Sequence, residues 1–100
     1  MSSSGAQSDS TAGQVRLRYW ASARAAAGVE LDVIEITAPV TLAELTGLAK
    51  ALHASSRRFG DVLDTCSALV DDRPVASADA ASVEVRAGQT VEFLPPFAGG

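Results

Sequence analysis

An α+β fold is what this sequence predicts, and three observations predict it. Val15, Leu17 and Tyr19 alternate with Arg16, Arg18 and Trp20, while Val91 and Phe93 alternate with Glu92 and Leu94, so a strand stands near each end of the chain. Between them, Thr41 with Glu44 three residues on makes a capping box in front of an apolar stripe at helical spacing. The segment from Cys66 to Ala76 reads as two short strands about a tight turn at Asp71-Asp72. Two N-terminal strands, a crossover helix, a hairpin and a last strand suit a mixed sheet of four to five strands packed on one main helix. If the last strand lies beside the first, their pairing is parallel, and a crossover helix is what that connection needs.

One hundred residues, 47% of them hydrophobic, are enough for one domain with a modest core and too few for two. The net charge of -4 argues against a nucleic-acid partner, because phosphate neutralisation needs clustered Lys and Arg, and Lys50 is the only lysine. With no run of eighteen apolar residues and no basic-then-apolar leader, neither a membrane span nor a signal peptide is expected, and the protein reads as cytoplasmic.

Residues 1–13, MSSSGAQSDSTAG, carry no large apolar side chain after Met1 and are expected to be a disordered extension before a domain at 14–94. The first strand is expected over Gln14 to Trp20, with Trp20 on its polar side, either covered by an arginine or free to meet a partner. ASARAAAG, residues 21–28, predicts a short helical turn closed by Gly28. Arg24 lies within it, as a surface residue, a loop brace or a contact. A second strand follows from Glu30 to Thr37, where Leu31, Val33 or its neighbour Ile34, and Ile36 compete for the inner face.

The helix that begins after Thr41 offers Leu42, Leu45, Leu48 or Ala49, and Leu52 as its buried stripe, and Val40 can pack on Leu45 as a staple. Gly47 costs it about 1 kcal/mol relative to Ala. His53 near its end suits the helix dipole. A shorter helix or irregular segment over Ser55 to Thr65 should turn Phe59 and Leu63 inward and leave Arg57 and Arg58 in solvent. Cys66 and His53 together form a conceivable nucleophile pair, but a lone Cys beside apolar residues usually behaves as a small buried hydrophobe. No metal-ligand spacing exists, because Cys66 is the only cysteine and His53 the only histidine. Pro74 belongs at a sheet edge, and Ala87-Gly88-Gln89 turns the chain into the last strand, Thr90 to Leu94.

That strand runs into a tail at 95–100. Pro95 and Pro96 supply no backbone donors and hold the chain extended. Phe97 is one more apolar anchor, and Ala98, Gly99 and Gly100 carry almost no side chain, so they can enter a narrow channel in another protein. The Gly100 carboxylate is then the reactive group at the tip. A carboxylate is a poor acyl donor and must be activated, for instance by attack on the α-phosphate of ATP. This chain has no phosphate loop, so another enzyme must supply that step.

The ending VEFLPPFAGG resembles the C-terminus of the small subunit of molybdopterin synthase, a ubiquitin-like sulfur carrier of the MoaD/ThiS type with the β-grasp fold. YWASARAAAG, residues 19–28, is similar to that family's aromatic-aromatic-Ala-x-x-Arg segment, and the likeness spans about residues 14 to 100. The resemblance implies that Gly100 is adenylated by a separate E1-like enzyme that uses ATP and is then converted by a persulfide sulfur to a thiocarboxylate. It implies that the tail, Pro95, Pro96, Phe97, Ala98 and Gly99, enters the molybdopterin synthase large subunit, where sulfur passes to a pterin precursor in molybdenum cofactor biosynthesis. Trp20, Arg24, Leu94 and Phe97 are the expected partner contacts, and the chain itself is expected to bind no metal and no cofactor. A carrier for thiamine or cysteine synthesis, a ubiquitin-like modifier joined to target lysines through Gly100, and an interaction domain with an inert tail remain alternatives.

Overall fold

In the computed structural model, which describes residues 13–96, the first alternating segment is β1 (Gly13–Tyr19), with Val15, Leu17 and Tyr19 buried and the arginines between them in solvent. Helix α1 (Ala21–Ala27) follows, then β2 (Leu31–Ile36), β3 (Val40–Thr41), α2 (Leu42–Leu52), α3 (Arg57–Thr65), β4 (Ser67–Val70), β5 (Arg73–Val75), a single 3-10 turn (Ser77–Asp79), β6 (Glu84–Val85) and β7 (Thr90–Leu94). Five strands form one mixed sheet in the order β2-β1-β7-β4-β5. β1 and β7 lie parallel at its centre, with Leu17 beside Val91 and Tyr19 beside Phe93. The other neighbours are antiparallel. The helices cover one face, and the core closes between Leu17, Tyr19, Val91 and Phe93 of the sheet and Leu42, Leu45, Ala49, Phe59 and Leu63 of α2 and α3.

The capping box forms as the sequence predicts: the Thr41 hydroxyl accepts from the Glu44 N–H at 3.0 Å while the Glu44 carboxylate accepts from the Thr41 N–H at 2.8 Å. Helix α3 has its own cap, since the Ser56 hydroxyl accepts from the Phe59 N–H, and it buries Phe59 and Leu63. Pro74 sits on β5 at the sheet edge. Asp71 and Asp72 both take left-handed φ, 48° and 69°, the conformation of a type I′ hairpin turn. Asp71 tolerates it because its carboxylate accepts from the Thr90 N–H and the Gln89 amide, tying the turn to the start of β7.

Several expectations need correction. Gly13 belongs to β1, paired with Ile36, so the ordered strand starts one residue before the expected domain boundary; residues 1–12 lie outside the described residues. β1 ends at Tyr19, and Trp20 is the extended N-cap residue that precedes α1. The buried stripe of α2 is Leu42, Leu45 and Ala49, continued past the helix end by the half-buried His53 at its C-cap, which leaves Leu48 44% and Leu52 55% exposed. Counting in steps of three and four from Ala49 reaches His53 as readily as Leu52, and Asp32 and two aromatic rings await the imidazole there. On β2 the inner face carries Asp32, Ile34 and Ile36, so Leu31 and Val33 point to solvent. The two-stranded ladder of β3 with β6, which buries Val85, is a feature that runs this short do not announce.

Candidate functional site

The site is the root of the C-terminal tail. β7 ends at Leu94; Pro95 is half-buried and Pro96 exposed. Phe97, Ala98, Gly99 and Gly100 lie outside the described residues. The root is held on one side by Ser67 of β4, the register partner of Leu94, and on the other by Trp20. The Trp20 N–H donates to the Phe93 carbonyl at 3.2 Å, and continuing the β1 and β7 register sets Trp20 beside Leu94. Trp20 is extended (φ -119°, ψ 153°), and Ala21 has a left-handed φ of 47°. That conformation costs an L-residue about 1–2 kcal/mol and is what turns the chain sharply off the sheet into α1. The Trp20 carbonyl then accepts from the N–H groups of Ala23 and Arg24. Gly28, at φ 79°, ends the helix and returns its N–H to the Arg24 carbonyl.

The two sequence segments singled out at opposite ends of the chain are thus brought into direct contact. Trp20 is 39% exposed, with the Arg18 guanidinium 5.2 Å from its ring centroid, so an arginine stack and an accessible aromatic residue coexist. Arg24 points elsewhere: its guanidinium pairs with Glu30 at 3.3 Å, and both side chains are more than half exposed. An ion pair in such exposure adds little stability but braces the loop between α1 and β2. The open face of the sheet beside Trp20 mixes charge and apolar surface, with Leu31, Arg18, Glu92 and Leu69 aligned across four strands and Leu94 next to Ser67.

Beneath this face lies a polar cluster that sequence reasoning missed. One carboxylate oxygen of Asp32 accepts from the Tyr19 hydroxyl at 2.7 Å and meets His53 Nε2 at 2.6 Å. The Tyr19 ring stacks on Phe93 at 6.0 Å and meets Phe59 edge-on at 5.2 Å, while His53 tilts against Phe59 at 4.8 Å. Burial, then the hydrogen bond to Asp32 and its negative charge, push the Tyr19 phenol far above its ordinary range. The signal available in the sequence was a single acid at inward parity with Ile34 and Ile36. These groups satisfy one another, and through the Tyr19 stack on Phe93 they brace the tail root from below.

The Cys66 and His53 pair does not assemble as a nucleophile. The Cys66 thiol donates to the Val62 carbonyl at 3.3 Å, and burial pushes its pKa up to about 11, away from the thiolate. No group of three or more His, Cys, Asp or Glu able to hold a metal occurs among the described residues. No helix among them is long and apolar enough to cross a membrane.

A family model described as the ThiS family matches residues 17–100. No curated protein matches the chain. Among solved structures, a putative molybdopterin converting factor subunit 1 from Pyrococcus furiosus is 26% identical over 84% of this chain and 98% of its own, with a TM-score of 0.66. Small archaeal modifier protein 1 from Haloferax volcanii shares the fold at a TM-score of 0.69 and 18% identity, covering 88% of this chain and all of its own (100%). The complex of subunits 1 and 2 of molybdopterin-converting factor from Helicobacter pylori matches at a TM-score of 0.57 and 20% identity, over 87% of this chain and 99% of that one. The fold is the ubiquitin-like β-grasp, and the chain belongs to the ThiS family, in the company of small β-grasp sulfur carriers and modifiers.

Proposed function

We propose that the chain is a sulfur carrier acting as the small subunit of molybdopterin synthase, with Gly100 as its working end. The observation that carries this reading is the hydrogen bond from Trp20 to Phe93, which braces the root of a thin Gly-Gly tail against the aromatic-Ala-x-x-Arg segment. In the proposed cycle an E1-like enzyme binds the open sheet face around Trp20 and Leu94. The Gly100 carboxylate attacks the α-phosphate of ATP, pyrophosphate leaves, and an acyl adenylate forms. A persulfide sulfur then attacks the acyl carbon, AMP departs, and a thiol cleaves the acyl disulfide to leave a thiocarboxylate. The carrier would next dock on a large subunit, with Phe97 seated near the mouth of its channel and Ala98, Gly99 and Gly100 threaded inside. There the ionised sulfur bonds to a carbon of the pterin precursor and displaces an oxygen substituent, and water then cleaves the acyl–sulfur bond, leaving the sulfur on the pterin and the Gly100 carboxylate free. The chain's own residues bind, orient and thread; the acid, base and ATP-binding groups belong to the partners.

Support for this branch comes from the Pyrococcus furiosus relative, and from the Helicobacter pylori structure, in which subunit 1 is held in a complex with subunit 2. The fold shared with a small archaeal modifier favours one further reading, conjugation through Gly100 to target lysines. Purification of the chain from its own cell separates the two. The carrier reading expects a molybdopterin synthase large subunit bound in stoichiometric amount. A ladder of higher-mass conjugates lost with Gly100, or a thiazole or cysteine synthase in place of that subunit, would redirect the assignment.

A further inference from the structure

The two edges of the sheet are treated differently. β5 is three residues long and carries Pro74, which blunts it. β2, the opposite edge, is six residues long, LDVIEI, with neither proline nor lysine. The Tyr19 N–H donates to the Glu30 carbonyl, so by the alternation of an antiparallel ladder Asp32, Ile34 and Ile36 also face β1 with their backbone groups. Leu31, Val33 and Glu35 therefore direct their N–H and C=O groups outward, and these have no partner among the described residues. Leu31 and Val33 are 36% and 45% exposed, next to Arg18 and Arg16 of β1.

We infer that this edge pairs with β2 of a second copy of the chain, antiparallel about a two-fold axis at Val33. In that register Val33 faces the partner's Val33 and Leu31 faces the partner's Glu35, so every outward N–H and C=O of Leu31, Val33 and Glu35 is satisfied in both copies. Charge complements the pairing: Leu31 lies between Arg18 of its own β1 and the partner's Glu35, which flank it with opposite signs. The registers on either side are worse. Setting Leu31 against the partner's Val33 opposes the two Asp32 carboxylates on the inner face, and setting Val33 against the partner's Glu35 carries Leu31 past the end of the facing strand. A seam one strand long belongs to the small, weak class of interfaces, below about 1,200 Å² in total, so dimerisation follows concentration. The joined sheet runs continuously through ten strands, five from each copy.

Sedimentation equilibrium on the full chain over a wide loading range, with amide exchange at each concentration, tests the inference. The weight-average mass should climb towards twice the monomer's, and the amides of Leu31, Val33 and Glu35 should gain protection as it does. Val33→Pro deletes an outward N–H that β1 does not use, so it should stay monomeric with the β1 and β2 ladder still protected. If that variant does not fold, Val33→Lys serves instead and should weaken the association at least tenfold. A wild-type chain that stays monomeric throughout, a Val33 variant that dimerises as well as wild type, or β2 amides protected only when another protein is added would each overturn the second copy as occupant.

Discussion

The Trp20 amide donates to the Phe93 carbonyl at 3.2 Å, and through this bond the segment after the first strand becomes the brace of the C-terminal tail. The side chain of Trp20 is free of that duty, because the backbone performs it, and the ring stays available at the surface with Arg18 over it.

Trp20→Ala should therefore separate binding from folding. Loss of the Arg18 stack costs the isolated domain at most about 1 kcal/mol. Affinity for the activating enzyme or the large subunit should fall by roughly tenfold or more, the range of a buried aromatic anchor. Thermal melting and calorimetric titration of the same sample measure the two effects.

Asp32 serves two partners, so its removal orphans both. Asp32→Ala should destabilise the domain by about 1–3 kcal/mol, because the Tyr19 hydroxyl and His53 Nε2 lose their acceptor inside the fold. His53→Ala in the same background should add less than it does alone, since the two residues share one interaction. Urea unfolding of the four proteins in the cycle reads the coupling.

The chain has one tyrosine, which makes its titration clean. Tyr19 is held above its unfolded value. Below pH about 10 the phenol is neutral in both states, and its contribution is fully present. As the pH rises further, the unfolded chain ionises first, so stability declines. Absorbance of the tyrosinate should stay low in the folded protein and rise together with unfolding; a simple titration near 10 with the fold intact would contradict the buried hydrogen bond.

Cys66 should be slow to react. With its pKa moved from 9.0 to about 11, the folded protein holds about a hundredfold less thiolate near pH 8 than the unfolded chain. Iodoacetamide labelling in buffer and in denaturant, followed by mass, measures the ratio.

The fold was legible wherever its causes are local. Alternation in β1 and β7, the Thr41 and Glu44 box and the apolar pair Phe59 and Leu63 each sit within a few residues of one another, and each forms as read. The inner face of β2 was not legible, because what draws Asp32 inward is Tyr19, thirteen residues before it, and His53, twenty-one residues after it. The same contact explains why the α2 stripe ends on His53 and leaves Leu52 in solvent. Of the site, the two segments were identifiable in sequence, but their union through Trp20 and Phe93 depends on the parallel pairing of the first and last strands. The division of roles between Trp20 at the tail root and Arg24 on the loop brace depends on the left-handed turn at Ala21, for which alanine gives no hint.

If Gly100 carries sulfur, the intact mass of the chain records it. After incubation with an E1-like adenylating enzyme, ATP and a persulfide donor, the mass should rise by one oxygen-to-sulfur exchange, localised to Gly100 and absent when Gly100 is deleted. An unchanged mass with an enzyme that charges its own carrier, or the same gain in the deleted chain, would contradict it.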